Sequence, residues 1–309
     1  MASPRIASLL PSATEICFAL DLSAHVVGVS HECDFPAQAR TRPVLTSAEI
    51  DAHADSETID RQVRFRASAG LSLYHVDEAR LRELAPDLIL TQDTCDVCAV
   101  SLETVERTVR ERLGAQTRLL ALSPSTLEDV LGDIARVGRA AGAEDAAENL
   151  LRRLRERLDV LRERVAALER PRVLMLEWLS PPMVAGHWTP ELIRCAGGEP
   201  VLGHEGSPTR ATDWSRIAAA RPDVVLIAPC GFRIEQTLRE LPALTRNGLA
   251  QLEAVQSGRA VILDGNAFFN RPGPRLIESA ELAARAIHPG AFAGWPDPDP
   301  HDLLRWEPR

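Results

Sequence analysis

Short, unbroken apolar runs recur along this chain, each bounded by polar residues. Ile6 to Leu10, Leu88 to Leu90, Val173 to Leu176 and Val224 to Ile227 have this form, with one serine in the first. A run without alternation is expected of a parallel strand covered on both faces. Two of the runs are introduced alike, by Leu81-Arg-Glu-Leu-Ala-Pro86-Asp87 and by Ile217-Ala-Ala-Ala-Arg-Pro222-Asp223. Each stretch predicts a helix end, a Pro-Asp turn and a buried strand, released into a loop with a cysteine. The beginnings of the two halves correspond as well. Arg5 opens a strand that leads to a helix with Ser12 as its expected cap. Arg172 opens another, followed by a helix with Thr189 as expected cap, Pro190 at the first helical position and Gly198 at the end. Two βαβ-type lobes built on one plan fit this pattern.

The stretch between the halves differs. Thr126 to Ala141 predicts a helix broken by Gly142, and Glu144 to Glu169 a longer one. Leu151, Leu154, Leu158, Leu161, Val165 and Leu168 recur there at spacings of three and four, one apolar stripe among Arg and Glu. The expected fold class is therefore α/β: two Rossmann-like lobes with mostly parallel sheets, joined by a long rigid inter-lobe helix, with a ligand cleft between the lobes. The expected boundaries are 1–125 for the N-terminal lobe, 126–170 for the helical segment, 171–290 for the C-terminal lobe and 291–309 for a Pro/Asp-rich tail.

Composition narrows the function. A chain of 309 residues is long enough for two lobes with separate cores. A net charge of −9 argues against a nucleic-acid partner, which would need a basic stripe. No apolar run approaches the roughly 20 residues of a membrane span. The first residues lack a charged, then apolar, then small-residue export pattern, so the expected location is cytoplasmic, or periplasmic or extracellular if a signal was trimmed. Six cysteines in a chain of this length do not make a disulfide framework.

Ser8-Leu-Leu-Pro-Ser-Ala-Thr-Glu-Ile16 and Val26-Val-Gly-Val-Ser-His31-Glu-Cys-Asp34 carry a more specific signal. With the paired Pro-Asp strands and the long central helix, they resemble the helical-backbone class (class III) of ABC-transporter substrate-binding proteins, and within it the cobalamin- and iron-siderophore-binding type. The resemblance implies rigid lobes, a ligand held at strand ends, no catalysis, and an ABC transporter permease as partner.

In open α/β sheets, ligands meet the loops after the carboxyl ends of the strands. That rule nominates His31, Glu32 and Asp34; Gln92 and Asp93; Glu177 and Trp178 with His187 and Trp188; Phe232; and Phe268, Phe269, Asn270 and Arg271. Aromatic residues make up only 4% of the chain, yet five of them fall in these loops. Flat apolar walls with a few polar groups suit a macrocyclic ligand. The leading expectation is a corrinoid (cobalamin-like) or other metal-chelate ligand, with His31 or His187 as axial ligand to its metal. Cys33, Cys95, Cys98 and Cys230 fall in the same loops, and soft thiolates beside imidazole also suit zinc or an iron–sulfur cluster. A third reading makes the Cys95/Cys98 C-x-x-C pair, before an expected helix start, a thiol-disulfide enzyme. The chain has no G-x-S-x-G, Walker A or H-E-x-x-H motif.

Overall fold

The computed structural model describes residues 4–93 and 117–306. By their contacts these divide into two compact units. Unit 1 comprises the described residues within Met1–Ala52, Arg61–Pro124 and Glu128–Arg153, and unit 2 those within His53–Asp60, Ser125–Leu127 and Leu154–Arg309.

The first part of the chain runs β1 (Ile6–Ser8), α1 (Pro11–Ala19), β2 (Val26–Val29), β3 (Thr46–Ala48), α2 (Ser56–Ser68), β4 (Tyr74–Val76), α3 (Glu78–Leu84), β5 (Leu88–Gln92), β6 (Arg118–Leu122), α4 (Leu127–Ala141) and α5 (Glu144–Val165). Strands β2-β1-β5-β6 pair in that order, all parallel. Every residue of β1 and β5 is buried, as their unbroken apolar runs require. Strands β3 and β4 form a separate antiparallel pair, and Leu45, Tyr74 and Val76 from this region pack with Ala7, Leu81 and Ile89.

The chain continues through β7 (Arg172–Trp178), β8 (Met183–Val184), α6 (Thr189–Cys195), β9 (Glu199–Pro200), β10 (Arg210–Ala211), α7 (Trp214–Ala219), β11 (Val224–Ile227), α8 (Ile234–Asn247), α9 (Glu253–Gln256), β12 (Ala260–Leu263), α10 (Leu276–Ile287) and β13 (Leu303–Trp306). This sheet is mixed, in the order β10-β8-β7-β11-β12-β13 with β9 also on β7. Its centre, β7-β11-β12, is parallel.

The repeated plan has a physical counterpart. In unit 1, the Arg5 backbone N–H donates to Asp87 Oδ2 at 2.8 Å, and its guanidinium donates from Nε and Nη2 to the Leu84 carbonyl at the end of α3. In unit 2, Arg172 N–H donates to Asp223 Oδ2 at 2.7 Å, and Nε and Nη2 donate to the Ala220 carbonyl at the end of α7. Ala85 (φ 40°) and Arg221 (φ 42°) turn the chain through the left-handed region just before each proline. The same clasp therefore ties a helix end to the start of a neighbouring strand in both units, and the helix–turn–strand register follows from it.

Helix α5 is continuous where the two units divide, at Arg153/Leu154. Leu151, Leu154, Leu158, Leu161 and Val165 are buried along it. It stops at Val165, four residues short of the expected end, and Leu168 is only half-buried. Pro171 follows closely, and the residue before a proline is forced out of helical geometry. Two expected caps are also displaced. Pro11 is the first residue of α1, so Ser12 lies inside the helix, and Leu10 occupies the cap position without a side-chain bond. Trp188 rather than Thr189 precedes α6. In both cases a proline with its fixed φ lies in the first two helical positions, Pro11 first and Pro190 second, and no hydroxyl caps the helix. The tail brings a strand that the sequence pattern did not predict: β13 pairs antiparallel with β12, and Leu304 and Trp306 pack on the unit 2 core.

Candidate functional site

In unit 1 the loops after β1 and β2 are tied together at their roots. Ser8 Oγ donates to the Leu10 carbonyl, Thr14 Oγ1 lies 2.8 Å from Ser8 Oγ, and it reaches Cys33 Sγ at 3.1 Å. Cys33 is buried, so this chain of small polar groups is a loop anchor. Above it, His31 is exposed. Its backbone N–H donates to Thr46 Oγ1 of β3 at 3.1 Å, and its Nδ1 lies 2.7 Å from the same oxygen. The Tyr74 ring of β4 packs against the imidazole with centroids 5.7 Å apart. Partial burial of the ring holds its pKa below the ordinary histidine value, so the imidazole is neutral at neutral pH. Glu32 N–H donates to Ser30 Oγ, and Asp34 pairs with exposed Arg40. Gln92 closes β5 and is buried, while Asp93 is exposed. Cys95 and Cys98 lie outside the described residues.

In unit 2, β7 ends in Glu177 and Trp178, both half-buried. Thr209 Oγ1 donates to Glu177 Oε2 at 2.9 Å, and Cys230 N–H donates to the Glu177 carbonyl. Trp178 leans on buried Phe232, centroids 5.3 Å apart. His187 stacks on Trp188 at 5.5 Å and holds a left-handed backbone, φ 49°. That geometry is kept by two loop bonds, His187 N–H to the Ser207 carbonyl and Gly206 N–H to the His187 carbonyl. The approach is close: a Cβ at Gly186 would lie 2.2 Å from the Ser207 oxygen. Burial lowers the His187 pKa. Among the described residues, the buried Trp178 Nε1 and His187 Nδ1 have no hydrogen-bond partner.

The loop after β12 supports this group from beneath. Trp188 Nε1 donates to the Phe269 carbonyl at 2.7 Å, and Phe269, itself left-handed at φ 66°, donates its N–H to Ser279 Oγ. Asp264 accepts from the N–H groups of Asn266 and Ala267, both at 2.8 Å, and burial raises its pKa against those bonds and the nearby Arg233 and Arg271 charges. Asn270 Nδ2 donates to the carbonyls of Ala228 and Gly265, and Arg271 Nη2 to Asn266 Oδ1. A Cβ on Gly265 would sit 2.0 Å from the Pro229 oxygen, so this crossing admits only glycine. Phe232, Phe268 and Phe269 are all buried, so their rings brace the loops that carry Trp178 and Trp188.

Sequence reasoning missed Thr46, Thr209 and Asp264. Asp264 had a signal, since an Asp-Gly pair at a strand end commonly caps its own turn. Thr46 and Thr209 had none, because their roles depend on partners 15 and 32 positions away.

The described residues hold no group of three or more His, Cys, Asp or Glu side chains placed to bind a metal ion. Burial, with the Cys33 charge a smaller cause, pushes the Cys17 thiol up to about 12, far from a reactive thiolate. The arrangement is one of neutral imidazole and indole groups on braced loops, which suits binding.

The comparisons agree with that geometry. A model of the periplasmic binding protein family matches residues 6–267, and the chain belongs to that family. Its fold is the class III fold of that family. It is 22% identical over 295 residues to an "Uncharacterized ABC transporter substrate-binding lipoprotein" of Bacillus subtilis, covering 93% of this chain and 81% of that one. With the vitamin B12-binding protein of Vibrio cholerae it shares 23% identity over 282 residues, covering 90% and 86%. Two solved structures have the same fold. The periplasmic vitamin B12-binding protein of Vibrio cholerae matches with TM-score 0.67 at 19% identity, over 95% of this chain and all of that one. A periplasmic heme-binding protein of Pseudomonas aeruginosa matches with TM-score 0.72 at 22% identity, over 97% of each. The two solved structures are named as periplasmic and the Bacillus subtilis relative as a lipoprotein, and none lends support to the expected cytoplasmic location or to zinc, iron–sulfur or thiol-disulfide chemistry.

Proposed function

We propose that this protein binds a corrinoid through its strand-end loops and presents it to an ABC transporter permease. One observation carries the reading. Trp178, which closes β7, and His187, in the loop after β8, combine half-buried aromatic faces with buried ring nitrogens that have no hydrogen-bond partner among the described residues. A corrin ring supplies what both lack: a broad apolar face for the rings and a rim of neutral amides for the nitrogens. A porphyrin rimmed by carboxylates would instead call for cationic partners, and Arg275 here lies over the Phe268 ring at 5.4 Å. The vitamin B12-binding relatives support the same ligand class.

Corrins absorb where tryptophan emits, so a ligand beside Trp178 and Trp188 should quench their fluorescence. Titration with cyanocobalamin is expected to give saturable quenching at one ligand per chain, with hemin much weaker. Saturable quenching by hemin alone would replace the corrinoid with a porphyrin, and no quenching by either would end the reading.

A further inference from the structure

We infer that His31 is an axial ligand to the metal of the bound macrocycle, coordinating through Nε2. The inference rests on the reading that this protein takes a metal-chelated corrinoid, and it adds a bond to the metal itself.

Two histidines stand in the candidate loops, and the structure separates them. His187 has its Nδ1 buried and unpartnered, its backbone in a left-handed turn, and its ring face stacked on Trp188. Nothing fixes which of its nitrogens carries the proton. His31 is held differently. Its Nδ1 lies 2.7 Å from Thr46 Oγ1, the same oxygen accepts its backbone N–H, and Tyr74 packs on the ring from β4. With the proton on Nδ1 and donated to Thr46, the lone pair lies on Nε2. That nitrogen has no partner among the described residues, and the side chain is exposed.

A metal-binding histidine is usually steadied in this way: a second group takes the distal N–H, fixing tautomer and ring orientation and raising the basicity of the ligating nitrogen. The depressed pKa works in the same direction, because a neutral imidazole has its lone pair available at neutral pH. The loop beneath is also anchored, since Thr14 joins Ser8 after β1 to Cys33 two residues beyond His31. The ligand atom is therefore presented on a braced loop, and little ordering is required when the bond forms.

The step is a ligand exchange. The Nε2 lone pair bonds to cobalt(III), an axial water leaves as H2O, the proton stays on Nδ1, and the cobalt keeps its oxidation state.

The test uses diaquacobinamide, a corrinoid without a nucleotide base, whose two axial positions hold water. On binding to the whole protein its absorption spectrum is expected to change from the diaqua form to a nitrogen-ligated form. In His31→Gln, with unchanged circular dichroism, the bound corrinoid should keep the water-ligated spectrum and bind at least about tenfold more weakly. Thr46→Val, which removes the Nδ1 partner, should retain nitrogen ligation with affinity lowered by about tenfold. If His31→Gln loses binding altogether, the wild-type spectrum and restoration by added imidazole in His31→Ala decide the matter. Binding by the wild type with a diaqua spectrum would overturn the inference and leave the corrinoid reading standing. Nitrogen ligation that persists in His31→Gln would assign the bond elsewhere and also overturn it. No binding of cobinamide or cyanocobalamin would remove both.

Discussion

At the scale of single residues, the protein holds several polar groups in places where water cannot reach them, and their consequences differ. On the proposed reading a ligand completes Trp178 and His187, and their cost in the unliganded protein becomes binding free energy when it arrives. Asp133 on α4 has no such prospect. Its carboxyl is buried, Oδ1 pairs with Arg136 at 2.6 Å, and Oδ2 has no partner among the described residues. Burial is the largest influence and raises its pKa, the Arg136 bond and charge oppose it, and the Asp129 charge adds to it. A carboxyl that holds its proton more tightly when folded stabilises the fold fully below its unfolded pKa. That contribution is lost as pH rises through the higher folded value. The urea midpoint at pH 7 minus that at pH 4 should therefore be larger for Asp133→Asn than for wild type. An identical pH dependence in the two proteins would show that Asp133 is not the source.

At the scale of elements, the Arg–Asp clasps explain why the same Pro-Asp turn appears twice. Asp223 fixes the start of β7 against the start of β11 by accepting the Arg172 N–H, and Asp87 does the same for β1 and β5. Both clasps are exposed, which limits each to about 1 kcal/mol. Asp223→Ala and Asp87→Ala are each expected to lower the unfolding free energy from urea denaturation by that amount, with the strand content by circular dichroism retained. A loss below about 0.3 kcal/mol for both would mean that the turn conformation, not the carboxylate, sets the register.

Much of this level was legible in the chain. Strands β1, β5, β7 and β11 stand where unbroken apolar runs were read, because a fully covered strand leaves little room for polar residues. The apolar stripe of α5 was equally plain, since a repeat of three and four over several turns marks one buried helix face. What escaped was decided by tertiary partners. Strand β13 is four residues in a Pro- and Asp-rich tail, and only the open edge of β12 makes it a strand. The caps of α1 and α6 fell one or two positions from their expected places because proline geometry outranked hydroxyl capping. For the candidate site, the strand-end rule nominated the loops and their aromatic side chains, of which Phe232, Phe268 and Phe269 are buried as braces. The anchors were not: Thr46 beneath His31, Thr209 on Glu177 and the Phe269 carbonyl on Trp188 are bonds between distant stretches.

At the scale of the molecule, two units carry the same kind of equipment. Each has a parallel strand core, and each raises ring-bearing side chains at the carboxyl ends of its strands. Nothing in these loops pairs a nucleophile with a base, among the described residues, and the chemistry on offer is packing, hydrogen bonding and coordination. The family match over 6–267 places that equipment in a member of the periplasmic binding protein family. The ligand is the central claim, and isothermal titration of the purified protein with cyanocobalamin tests it most directly. The account predicts one site per chain with a dissociation constant of roughly micromolar or tighter. A flat titration at ligand concentrations of about 100 µM, from protein shown to be folded, would contradict it.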